Sequence, residues 1–202
     1  MVPLDGGDSV YPGELESTGL WMRLNRPGRP LEQVQVAVLG ARYDGSVTHA
    51  RGAAQAPAEL RALSADSWFF TEEGLDLRGL AVRDLGDAPV RQGGPEATQR
   101  ALAAAVRPLV QAGAIPLVLG GDHSVSSGVV AGIAGSQPLG VLYDLIHALA
   151  RPPQGREPLR LAGFDVVEIA PPLDHNRITA WAGVRIVTEM CGYLRRTCSL
   201  PF

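Results

Sequence analysis

The residues best suited to chemistry in this chain stand where apolar runs stop. The stretch "IPLVLGGDHSVSSGVV" (115–130) carries a buried-strand pattern into Gly120, Gly121, Asp122 and His123, then into small polar residues that open a helix. An imidazole at a strand end can bind a metal ion, and the two glycines before it permit backbone angles and close approaches that other residues forbid. A structural reading competes: His123 bonds a backbone carbonyl, and Asp122 caps the helix opening at Ser124. The run "LRLAGFDVVEIA" (159–170) reaches Glu168 in the same way. Its carboxylate could pair with a planar cation or simply close a strand. Asp44 and Asp87 follow two further apolar runs, and "LYDLIHA" brings Asp144 and His147 close in sequence.

These side chains need a scaffold, and the chain spells one out. "VQVAVLG" (34–40), "LAVRDLGD" (80–87), "IPLVLGGD" (115–122) and 159–170 are short apolar runs of the kind that form buried parallel strands. Between and after them come helical stretches: "APAELRALSADSW" with Pro57 in its first turn, the Ala-rich 95–114, "SVSSGVVAGIAG" and 177–196. In the last of these, Ile178, Ala182, Ile186, Met190 and Leu194 fall on one face. The alternation predicts an α/β fold, a parallel sheet of about four strands with helices on both faces in three layers. In such sheets ligands sit at the carboxyl ends of the strands, where Asp44, Asp87, Asp122 and His123 all fall. Residues 1–32, rich in Gly and Pro, read as an N-terminal arm, and 33–202 as the domain. The segment 140–151 reads two ways. As a strand it sets Asp144 level with His123; as a helix, which its apolar stripe Val141, Leu142, Leu145, Ile146 and Leu149 favours, it turns Asp144 and His147 to solvent.

Composition narrows the function. The 202 residues include 46% hydrophobic and 19% charged residues, an ordinary globular balance. A net charge of −3 without a basic tract argues against nucleic-acid binding. No apolar run reaches the roughly 20 residues that span a bilayer, and the first residues lack the build of a signal peptide. Cys191 and Cys198 form neither a disulfide framework nor a zinc motif, so the expected location is a reducing cytoplasm.

The motif "LVLGGDHSV" resembles the first metal-ligand motif of the ureohydrolase (arginase/agmatinase) family. In matching order, "LGARYDGSVTHARGAAQAPAELRALS", "VRDLGD" and "LAGFDVVEIAPPLDHNRITAWAGVRIVTEMCGYL" are similar to further family segments, the last to the C-terminal part of agmatinases. The resemblance implies a shortened arginase-like α/β domain and a small guanidino substrate such as agmatine. It also implies two manganese ions whose bridging hydroxide attacks the guanidinium carbon and releases urea. By position His123 matches a metal-binding histidine and Glu168 the glutamate that pairs with the substrate's guanidinium.

The departures from the family are equally specific. The Asp-x-His-x-Asp and Asp-x-Asp-x-x-Asp-Pro segments that supply the remaining ligands are absent, and Asp144 is the nearest replacement, one residue out of step with His147. The sequence therefore reads as a ureohydrolase with its central strands removed near Gly140–Asp144. Its metal binding is expected to be weak and its hydrolysis of a guanidino C–N bond impaired. The alternative is a non-catalytic shortened form that binds full-length subunits or a ligand, and homo-oligomers are a further expectation. His123 and Glu168 are expected side by side, on neighbouring strands.

Overall fold

A computed structural model describes residues 19–90, 94–134 and 161–197. Its elements are a one-turn helical segment α1 (Leu20–Arg23), β1 (Val36–Gly40), α2 (Ala56–Ala65), β2 (Val82–Asp87), α3 (Pro95–Gln111), β3 (Ile115–Leu119), α4 (Val125–Ala134), β4 (Phe164–Val166) and α5 (Ile178–Thr197). The four strands form one sheet in the order β2-β1-β3-β4, with every pairing parallel. This is the expected class of fold, with the strand carrying Gly-Gly-Asp-His directly beside the strand carrying Val-Val-Glu.

Alternate residues of each strand feed two cores, which makes the domain three-layered. Val36 and Val38 of β1 and Leu117 and Leu119 of β3 face α2 and α5, meeting Leu60, Val184 and Val187. Ala37 and Leu39 of β1 and Val118 of β3 point the other way, onto Leu102 and Val106 of α3 and Val129 of α4. The period of two along a strand dictates this split. β1 and β3 are almost wholly apolar because both their faces are covered.

The helices lie where right-handed crossovers require them. From β1 the chain moves over one face through α2 to β2; from β2 it returns over the other face through α3 to β3. Neighbours on either side of the β1–β3 boundary are therefore reached in opposite directions. That boundary is the switch point of the sheet, where ligands of such folds bind.

The last strand is shorter than its apolar run. Of residues 159–170 only Phe164–Val166 pair, against Leu117–Leu119 of β3. Among the described residues β4 is an edge with a single neighbour. At the other end of the chain, Leu20–Asn25 packs into the domain. Trp21 and Met22 are almost fully buried, and Asn25 bridges Val82.

Candidate ligand cleft at the sheet's carboxyl edge

The turn after β3 is built by its two glycines. Gly121 holds φ +83, and a Cβ there would lie 2.7 Å from the Ala41 carbonyl oxygen and 3.0 Å from that of Tyr43. Only glycine fits so close to a neighbouring backbone. Three hydrogen bonds then fix the turn: the Gly120 N–H donates to Val166 O (2.6 Å), the Gly121 N–H to Ala53 O (3.2 Å) and the Asp122 N–H to Tyr43 O (2.8 Å). The loops following β1 and β3 are thus stapled together, with β4 alongside.

Asp122 takes the structural role. Its Oδ1 accepts the Ser124 N–H (3.0 Å) and hydroxyl (2.5 Å), and its Oδ2 accepts the Ser46 N–H (2.7 Å). One carboxylate oxygen of this buried residue serves the turn that starts α4, and the other ties that turn to the loop after β1. Asp44 likewise works locally, accepting the Gly52 N–H (2.8 Å). Asp87 is drawn toward α2, where it accepts the Arg61 guanidinium (2.6 Å). Three of the acids found at strand ends are therefore used to hold the fold.

His123 and Glu168 differ from them. Both are exposed, and the structure brings them together: the His123 N–H donates to Glu168 Oε1 (2.6 Å), while the Glu168 N–H donates to Gly121 O (2.9 Å). Glu168 is held at φ 63, a left-handed conformation that costs a non-glycine residue about 1–2 kcal/mol. Such strain persists only where surrounding contacts over-determine it, and it concentrates at functional sites.

In front of these two residues opens a cleft of about 300 Å³. Its floor is Asp122, His123 and Glu168, and its far wall is the loop Ser46–Ala50, including Thr48 and His49. The sequence reading missed His49, because a 15-residue loop has no periodicity to read. The signal that finds it is topological. β1 and β3 flank the switch point, so the loop after β1 must face the His123 turn.

The third expected site residue, Asp144, lies outside the described residues, and so does the helix expected over 141–150. Among the described residues no group of three or more His, Cys, Asp or Glu side chains could hold a metal ion. Asp122, the nearest carboxylate to His123 in sequence, already accepts three N–H and O–H donors. A two-metal centre needs several carboxylate and imidazole ligands, and the described residues do not provide them. Nor is any described helix long and apolar enough to cross a membrane.

Fold and cleft together define a doubly wound α/β domain with a ligand crevice at its switch point. A profile of the arginase family matches this chain over residues 34–144 and again over 136–192, and the chain belongs to that family. It is 31% identical over 117 residues to guanidinopropionase of Pseudomonas aeruginosa, a match covering 57% of this chain and 37% of that protein. The match thus reaches well under half of the relative's length. A hypothetical agmatinase from Burkholderia thailandensis has a similar fold, with a TM-score of 0.71 at 21% identity over 93% of this chain and 95% of that one. A Trypanosoma cruzi formiminoglutamase solved with Mn2+ gives a TM-score of 0.52 at 22% identity, covering 59% of this chain and 41% of that one.

Proposed function

We propose that this chain is an agmatinase-like member of the ureohydrolases that retains the family's guanidinium-recognition edge and is impaired in hydrolysis. The observation that carries this reading is Glu168, an exposed carboxylate that lines the cleft and is pinned by the His123 N–H. A carboxylate oxygen has two lone pairs. Oε1 can therefore accept the backbone N–H and still join Oε2 in a fork that matches a planar guanidinium. Its anchored backbone fixes the direction of that fork before a ligand arrives.

Catalysis is the part that the described residues support least. In the family the metal pair supplies the hydroxide nucleophile. Here His123 is the one residue of the cleft that matches a family ligand, with Asp144 the nearest companion in sequence. One imidazole and at most one carboxylate hold a divalent ion weakly and singly, so manganese binding is proposed to be weak. The family match falls in two segments that meet at 136–144, which supports a join where the central strands of a longer relative would lie.

The test is urea release from agmatine and from arginine by the purified chain with excess manganese, beside a His123→Ala control. The expected result is no release above the control. Turnover that disappears in His123→Ala would overturn the impairment. If turnover appears only when a full-length homologue is added, the chain acts instead as a shortened form that associates with complete subunits.

A further inference from the structure

A second pocket, of about 390 Å³, shares no lining residue with the His123 cleft. Glu59 of α2 and Gln55 just before it form one side; Pro171, Pro172, Asp174 and Arg177, from the loop between β4 and α5, form the other. The two sides are tied by charge, with Arg177 Nε 2.7 Å from Glu59 Oε1. Contact through Nε leaves the terminal fork of the guanidinium, Nη1 and Nη2, and Glu59 Oε2 for a ligand. Arg177 is held at φ 59, directly after Asn176 at φ 62. Asparagine is at ease in that left-handed conformation and arginine is not, and such strain clusters at ligand clamps. Asp174 serves the fold: its Oδ1 accepts the Thr179 N–H (2.9 Å) and its Oδ2 the Ala180 N–H (2.8 Å).

We infer from this arrangement that the pocket binds the zwitterionic head of an α-amino acid with an apolar side chain, the carboxylate on Arg177 and the ammonium on Glu59. The lining carries two carboxylates and one guanidinium. A simple anion would meet the acids, and a simple cation would meet Arg177. A zwitterion has no net charge and offers a partner to each. An α-amino acid holds both its charges on one carbon, so they can reach a guanidinium and a carboxylate that already touch. Gln55 supplies a neutral amide, able to donate or accept at either group. Pro171 and Pro172 give an apolar wall, and Leu173 and Ile178, each next in sequence to a lining residue, are exposed (57% and 69%). These surfaces suit an aliphatic side chain. The site draws on neither Glu168 nor a metal ion.

Calorimetric titration of the full chain with leucine, N-acetylleucine and leucinamide tests this, at a slightly acidic pH where leucinamide stays protonated. N-acetylleucine lacks the ammonium and leucinamide lacks the carboxylate. Leucine is expected to bind about tenfold more tightly than either, the scale of one well-placed charge contact. In Arg177→Gln leucine should fall to the level of leucinamide, while its advantage over N-acetylleucine survives. In Glu59→Gln it should fall to the level of N-acetylleucine and keep its advantage over leucinamide. A thermal melt checks that each variant folds. Should one fail, the wild-type series still decides, because it compares ligands and not proteins. Equal binding of the three ligands by the wild type, or variants that weaken all three alike, would overturn the zwitterion site. No detectable binding of leucine would remove the site altogether.

Discussion

Two regions of one sheet carry acids, and they have opposite fates. Inside β2, Asp84 is fully buried and accepts the Arg61 Nε–H (2.9 Å) and NH2 (3.0 Å) together with the Trp21 indole N–H (2.7 Å). Arg61 also reaches Asp87 Oδ1 (2.6 Å) and the Gly86 carbonyl (2.7 Å). Burial alone would lower the Arg61 pKa. The hydrogen bonds and charges of Asp84 and Asp87 more than offset it and hold the guanidinium above its ordinary value. At the ends of β3 and β4, Glu168 and His123 face an open cleft. Acidic side chains of one sheet thus close the fold at β2 and stay available beyond β4. What separates them is the company. An arginine on the covering helix absorbs the acids of β2, and among the described residues no ion pair ties a cation to Glu168.

Breaking the closed end should produce the largest effect. Asp84→Ala leaves Arg61 buried with only part of its pairing, and removing one partner of a buried pair costs about 3–5 kcal/mol. Chemical denaturation should show a loss of that order; a loss below about 1 kcal/mol would mean that the pair is solvated.

A smaller loss is expected from Gly121→Ala, which disturbs the backbone beneath the open end. The left-handed φ and the 2.7 Å approach to Ala41 O should together cost about 1–3 kcal/mol. Ligand binding at Glu168 should weaken in parallel, because its N–H hangs from the Gly121 carbonyl. Normal stability in this variant would show that the turn relaxes at no cost.

The open end should also tolerate change that improves the fold. Glu168→Asn places the non-glycine type most at ease in a left-handed conformation at φ 63, and should gain up to about 1 kcal/mol while losing guanidinium binding. A gain in melting temperature with intact binding would separate the strain from the function.

The smallest effect belongs to Asp174, which receives the Thr179 and Ala180 N–H groups (2.9 and 2.8 Å) at the start of α5. Desolvation would raise its pKa, but these donors hold the carboxyl below the ordinary 3.8. A depressed folded value stabilises the protein above the unfolded pKa, and the gain is lost as pH falls through the folded one. The melting-temperature gap between the wild type and Asp174→Ala should therefore be full at neutral pH and close on acidification below about pH 4. A gap independent of pH would show that the charge is irrelevant there.

Much of this was legible from residues. The apolar runs of β1 and β3 announce strands covered on both faces, and the family resemblance, which sets the Gly-Gly-Asp-His strand beside the Val-Val-Glu strand, implied His123 next to Glu168. Asp122 could be read as the start of α4 from its spacing to Ser124. Other features were hidden because they depend on long-range encounters. Nothing in "YDGSVTHARGAAQ" marks Thr48 and His49 as a wall until β1 is known to lie beside β3. Trp21 sits in a Gly- and Pro-rich stretch without periodicity, and its burial follows from Asp84, 63 residues away. Strand length also escaped the pattern: hydropathy extends over 159–170, but β4 pairs only where β3 offers a partner.

The bond from the Ser46 N–H to Asp122 Oδ2 joins residues 76 apart in sequence. Closing so long a stretch of chain has an entropic cost that local contacts cannot recover, so contacts of this kind slow folding. The cleft therefore has no partly built precursor: it is absent until β3 has docked on β1, and then it is present as a whole. Exchange of the Ser46 amide with solvent deuterium would follow the opening of that docked pair, and a guanidinium ligand seated between its two loops would slow the exchange.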